Sequence, residues 1–84
     1  MIGNIVFSKC GHDKGKIFIV INQVNDYYYL VDGKYRLLDR PKKKKIKHVQ
    51  FTNYSCHDII SRLQNNSCSN LDIRNAIKKF EERD

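Results

Sequence analysis

The chain has 84 residues and a formal net charge of +7, with 40% hydrophobic residues and nine aromatics. That length holds one small packed interior and excludes a second core, while the hydrophobic share argues against disorder. No apolar run approaches the roughly 18 residues that span a bilayer, and no apolar leader stretch opens the chain, so neither membrane insertion nor export is expected.

The charge is unevenly placed. Residues 1–54 carry eleven Lys/Arg against four Asp, which is the whole net charge, whereas residues 55–84 hold five bases and five acids. A basic front half beside a neutral back half points to a polyanion-facing surface on one part of the molecule. Cys10, Cys56 and Cys68 form no C-x-x-C pair and leave an odd thiol. This suits a reducing cytosol better than a disulfide-built secreted domain.

In chain order, Ile2 to Ser8 reads as the first strand and Ile17 to Ile21 as the second, both apolar and β-rich. Between them lies a basic loop, Lys9 to Lys16, in which Gly11 and Gly15 permit backbone angles that other residues resist. After a turn at Asn22 to Asp26, Tyr27-Tyr28-Tyr29-Leu30-Val31 makes the third strand. Alternation sets Tyr28 with Leu30 on one face and Tyr27, Tyr29 and Val31 on the other. Core packing or surface cover is the expected role of these rings, ahead of base stacking. Asp32-Gly33 predicts a tight hairpin turn, with Tyr35 to Leu38 returning as the fourth strand. Pro41 keeps the lysines that follow it out of a helix interior, so Lys42 to Lys47 reads as an extended segment or loop. Val49 to Phe51 completes a five-stranded set whose short strands and tight turns predict a small β-barrel.

The back half changes period. Ser55-Cys56-His57-Asp58 matches a capping box and opens a helix near 56–64, which Asn65 and Asn66 end. Ser69-Asn70-Leu71-Asp72 repeats the start signal, and Ile73, Ala76, Ile77 and Phe80 follow as an apolar stripe on a helix near 70–82. The chain thus divides into a barrel with a basic block at 1–54 and a two-helix extension at 55–84, within one domain. The stripe is expected to cover the barrel; the competing reading has it dock a partner protein.

Phosphates in long arrays are bound by closely spaced lysines, which displace condensed counterions. Lys42, Lys43, Lys44, Lys45 and Lys47 place five ammonium groups within six positions, and a block so crowded needs an anion beside it. Lys9, Lys14 and Lys16 supply a second cluster around Gly11 and Gly15, where the backbone permits a close approach. Arg36 and Arg40 suit forked contacts to phosphate or stacking on bases, although Arg36 has Asp32 and Asp39 as rival partners. No nucleophile motif, paired carboxylates, phosphate loop or spaced metal-ligand set is present, so no enzyme, metal or cofactor is expected.

The segment from Ile2 to Val20, with Lys9-Cys10-Gly11-His12-Asp13-Lys14-Gly15-Lys16 as its loop, resembles the KOW motif. That motif is a strand, a glycine-containing basic loop and a strand, found in ribosomal and transcription-elongation proteins. The likeness continues through Val31-Asp32-Gly33, the block from Pro41 to His48, and Asp72-Ile73-Arg74-Asn75-Ala76-Ile77. Over nearly its whole length the chain resembles the short bacterial KOW-domain RNA-binding proteins, themselves similar to archaeal and eukaryotic large-subunit ribosomal proteins. The resemblance implies an SH3-like barrel and RNA as partner; with the patterns above, a five-stranded barrel followed by two short helices is expected, with ribosomal RNA as the expected RNA. His48 joins the expected contacts as part of the matched block. A monomer in the cytoplasm, with ribosomal proteins as further neighbours, completes the expectation. The alternative is a protein-interaction adaptor, a transcription or ribosome accessory whose barrel binds a protein.

Overall fold

The computed structural model describes residues 2–83. Five strands are present among them: β1 (Asn4–Ser8), β2 (Ile17–Val24), β3 (Tyr27–Val31), β4 (Lys42–Lys45) and β5 (Val49–Ser55). A single 3-10 turn, Ile46–His48, leads from β4 to β5, and helices α1 (His57–Gln64) and α2 (Asn70–Glu82) follow. The strands form one antiparallel sheet in the order β4-β3-β2-β1-β5, which leaves β4 and β5 as its edges. The sheet is not closed by pairing between these edges.

Both faces of the sheet are buried. Ile5, Ile19 and Val31 face one side and meet Ile59 of α1 and Ile73, Ile77 and Phe80 of α2. The apolar stripe on α2 is therefore core, and each fully buried side chain of this size contributes roughly 1.5–3 kcal/mol. Val6, Phe18, Val20, Tyr28, Leu30 and Val49 face the other side, where Ile46 of the 3-10 turn and Phe51 pack on them in place of α1 and α2. The sheet covers that face by curling. The Tyr28 and Phe51 rings lie 5.4 Å apart edge to face, although β3 and β5 are three strand spacings apart, roughly 14 Å in a flat sheet. Register shifts between Asn4 and Val6 and between Val20 and Asn22 fall where the strands must bend.

The fourth strand is not the one the turn signal indicated. Tyr35 to Leu38 forms no strand, and the partner of β3 is the lysine block itself, with Tyr28 opposite Lys44 and Leu30 opposite Lys42. The reason lies in Asp32. Its Oδ1 accepts from the backbone N–H groups of Lys34, Tyr35 and Arg36 at 2.9, 2.8 and 2.8 Å, winding the chain into a local loop. Gly33, at φ +77°, packs against the start of α2, where an added Cβ would collide with the Asn70 carbonyl. Leu38 N–H donates to Asn70 Oδ1 at 2.8 Å, tying the end of the same loop down.

The first capping box is also absent. Ser55 pairs with Asn4 as the last residue of β5, so α1 is capped by Cys56, which makes no side-chain cap. Its side chain is buried in the core instead. The second box forms: Ser69 Oγ accepts from Asp72 N–H at 3.1 Å, and Asp72 Oδ2 accepts from Ser69 N–H at 2.9 Å.

Candidate nucleic-acid interface

The basic loop between β1 and β2 is folded on itself. Gly15 N–H donates to the Ser8 carbonyl at 2.8 Å and Lys16 N–H to that of Asp13 at 2.9 Å. Gly11 and Gly15 stand at φ +87° and +85°, in the left-handed region that lets the loop turn back so sharply. This conformation brings Asp13 inward, where it is only 9% exposed.

Asp13 is met by the lysine strand. Lys44 Nζ donates to Asp13 Oδ1 at 2.9 Å and to the Cys10 carbonyl at 2.8 Å. Lys42 Nζ lies 3.3 Å from Asp13 Oδ2, and Ser8 Oγ donates to Oδ1 at 2.7 Å. Burial works against the ionised carboxyl, but the Lys44, Ser8 and Lys42 contacts together outweigh it and hold Asp13 well below the usual carboxylate range. The buried face of the curled sheet is thus capped by an ionic cluster joining loop and edge strand.

Strand alternation divides the lysine block into two sets. Lys44 is 8% exposed and Lys42 half-buried, both on the face of Tyr28 and Leu30. Of the five ammonium groups expected to face a polyanion, Lys44 is therefore committed to the fold, and Lys42 shares Asp13 with it. Lys43, Lys45 and Lys47 are exposed. Lys43 Nζ sits 4.3 Å from the centroid of the Tyr27 ring, within cation–π range. An edge strand of lysines also resists pairing with a second sheet, because each exposed charge would have to lose water.

Lys9, Gly11, Lys14, Gly15 and Lys16 are exposed on the loop. His48 is half-buried, and its carbonyl accepts from Lys9 N–H at 2.8 Å, which sets the 3-10 turn against the loop. Arg36 and Arg40 are exposed on the connection from β3 to β4 and, among the described residues, make no ion pair. Oδ1 of Asp32, a rival partner for Arg36, accepts from three backbone N–H groups, that of Arg36 among them.

Three residues outside the expected set belong to this surface. Tyr35 is 73% exposed, with Lys16 Nζ at 5.7 Å and Lys34 Nζ at 5.2 Å from its ring centroid. Beside it runs a groove of about 380 Å³ that Arg74 of α2 also lines. The strand expected at Tyr35 to Leu38 hid this arrangement, because it assigned Tyr35 to a sheet.

A larger cleft of about 700 Å³ lies between the helices, lined by Tyr54, Asp58, Arg62, Asp72, Lys78 and Glu82 among others. It carries both signs of charge and shares none of the loop or strand lysines. Burial pushes the Cys56 thiol in its wall upward, away from the reactive thiolate. Among the described residues, no three His, Cys, Asp or Glu side chains come together as metal ligands, and no helix is long and apolar enough to cross a membrane. Comparison with protein-family models and with curated proteins finds no match to this chain.

Proposed function

We propose that this chain binds RNA through its phosphate backbone, using Lys9, Lys14 and Lys16 of the loop with Lys43, Lys45 and Lys47 of the edge strand and the turn after it. The observation that carries this reading is the Asp13 cluster. It clamps the two basic segments side by side and neutralises the inward lysines, while Lys9, Lys14, Lys45 and Lys47 have no acidic partner among the described residues. A phosphate chain following the β4 edge meets the loop lysines on one side and Lys43 and Lys45 on the other. Arg36 and Arg40 extend the positive field, and His48 contributes its position beside the loop.

The KOW resemblance supports the finer parts of this reading. In them the curled sheet is an SH3-like barrel, ribosomal RNA is the partner, and the protein is a cytoplasmic monomer close to ribosomal proteins. No catalytic step is invoked.

Salt titration of RNA binding tests the proposal. Replacing Lys43, Lys45 and Lys47 with Ala should weaken binding and flatten the plot of log affinity against log salt by ~0.7 for each single-strand phosphate no longer neutralised. An unchanged slope removes the reading and favours the protein adaptor.

A further inference from the structure

We infer that Tyr35, with Lys16 and Lys34 around it, is a stacking site for an unpaired nucleotide base. This rests on the RNA-binding reading above and names the part of the RNA that is taken. Of the nine aromatic side chains, all among the described residues, Tyr35 alone is exposed, at 73%. A frayed loop would explain such exposure trivially, but this loop is pinned. Tyr35 N–H donates to Asp32 Oδ1 at 2.8 Å, Gly33 packs on Asn70, and Leu38 N–H is held by the Asn70 side chain at 2.8 Å. The ring is therefore held out on an ordered backbone, and little freedom remains to be lost when a ligand covers it.

The surroundings narrow the ligand. Two ammonium groups lie within 6 Å of the ring centroid, and Arg74 borders the same groove, with Ile17 and Ile77 along it and Asp32 and Glu81 as its acids. A partner must offer a flat π face to Tyr35 and negative charge to Lys16, Lys34 and Arg74. A nucleotide does both. An apolar peptide lacks the charge, and an acidic peptide offers the plane only where it also carries an aromatic side chain, whereas every nucleotide joins the two. A base within a duplex has both faces covered by its neighbours, so the site selects single-stranded loops, bulges and overhangs, whose bases are unpaired. Stacking is tolerant of base identity because every base presents a π face. Lysine side chains are long enough to swing from the ring to the flanking phosphate as the base arrives.

Two RNA probes of equal length and charge, a blunt duplex and a hairpin with an unpaired loop, test this on the full chain. The wild type should prefer the looped RNA. Tyr35→Ala should weaken looped-RNA binding roughly tenfold, the size of one base–aromatic stack, while leaving duplex affinity and the salt slope unchanged; Tyr35→Phe should keep the preference. The chain contains no tryptophan, so Tyr35→Trp provides a unique fluorophore that looped RNA should quench and duplex should not. If Tyr35→Ala retains the preference, or saturating looped RNA leaves the Tyr35→Trp emission unchanged, the stacking site is overturned while salt-dependent phosphate binding stands. Quenching by an acidic peptide and not by RNA also overturns it. If the wild type binds neither RNA, both readings fall.

Discussion

Lys44 and Asp13, 31 positions apart in the chain, form a buried ion pair at 2.9 Å that fastens the β4 edge to the β1–β2 loop. Two sequence features that look like separate solvent-facing basic segments are thereby made one structural unit. Such a pair is not a large net source of stability, because both charges lose water. Its importance is geometric, and it becomes visible when one partner is removed.

Lys44→Met leaves the Asp13 carboxylate buried with Lys42 and Ser8. Breaking a buried pair from one side costs about 3–5 kcal/mol, and the remaining Lys42 contact should reduce this to about 2–3 kcal/mol. Urea denaturation should show that loss, and adding Asp13→Asn should recover part of it, since the uncompensated charge is then gone. With Asp13→Asn alone measured beside them, a double-variant loss equal to the sum of the two single losses would mean that the pair is not coupled.

The same cluster sets a pH dependence. Asp13 has a native pKa depressed below its unfolded value, so between the two the unfolded chain binds the extra proton. Its stabilisation is fully present above the ordinary aspartate range and is lost as pH falls from there towards the depressed native value. Asp72 titrates in the same sense, held down first by the Ser69 backbone N–H and then by its side chain. Asp13→Asn should therefore flatten the acid limb of stability against pH without removing the part due to Asp72. A wild-type acid limb in that variant would show that Asp13 is not held ionised.

Gly33 and Gly15 share a left-handed backbone, at φ +77° and +85°, but not an environment. A Cβ on Gly15 meets nothing within 4 Å, so Gly15→Ala should cost only the conformational penalty of about 1–2 kcal/mol. A Cβ on Gly33 would strike the Asn70 carbonyl and lie 2.9 Å from Arg74 N, adding a clash that can be relieved only by lifting the loop from α2. Gly33→Ala should be the more destabilising of the two in thermal or urea unfolding, and it should also disturb the Tyr35 site. Equal costs would show that the loop does not seat on the helix.

How much of this was legible in the sequence depends on the range of the interaction. Local signals read true: the apolar runs of β1 to β3, the Tyr28/Leu30 alternation, the Ser69–Asp72 box and the Ile73/Ile77/Phe80 stripe all depend on neighbours a few positions away. Asp32-Gly33 misled because a hairpin turn and a loop gathered by an aspartate carboxylate begin with the same two residues. The loop that Asp32 gathers is also tied at its end to Asn70, far along the chain and invisible to a local pattern. The lysine block is extended as its sequence indicates, but its pairing with β3 was illegible for a related reason. Four lysines have little intrinsic strand preference, and their alternation acquires an inside only once Asp13 is delivered opposite them. Ser55 likewise reads as a cap until its pairing with Asn4 is known.

The inward and outward lysines should therefore separate in experiment. Replacing Lys43, Lys45 and Lys47 with Ala removes three exposed ammonium groups and the Tyr27 cation–π contact, so stability should change by no more than about 1 kcal/mol. The salt slope of RNA binding should fall by ~2 if each lysine holds one phosphate. Lys44→Met should do the reverse, lowering stability while the folded fraction keeps the wild-type slope. Measuring denaturation midpoints and salt slopes on the same two variants gives a crossed pattern that neither a flexible charge run nor a uniform basic patch produces. A flexible run would leave both variants stable, and a uniform patch would flatten the slope in each in proportion to the charge removed.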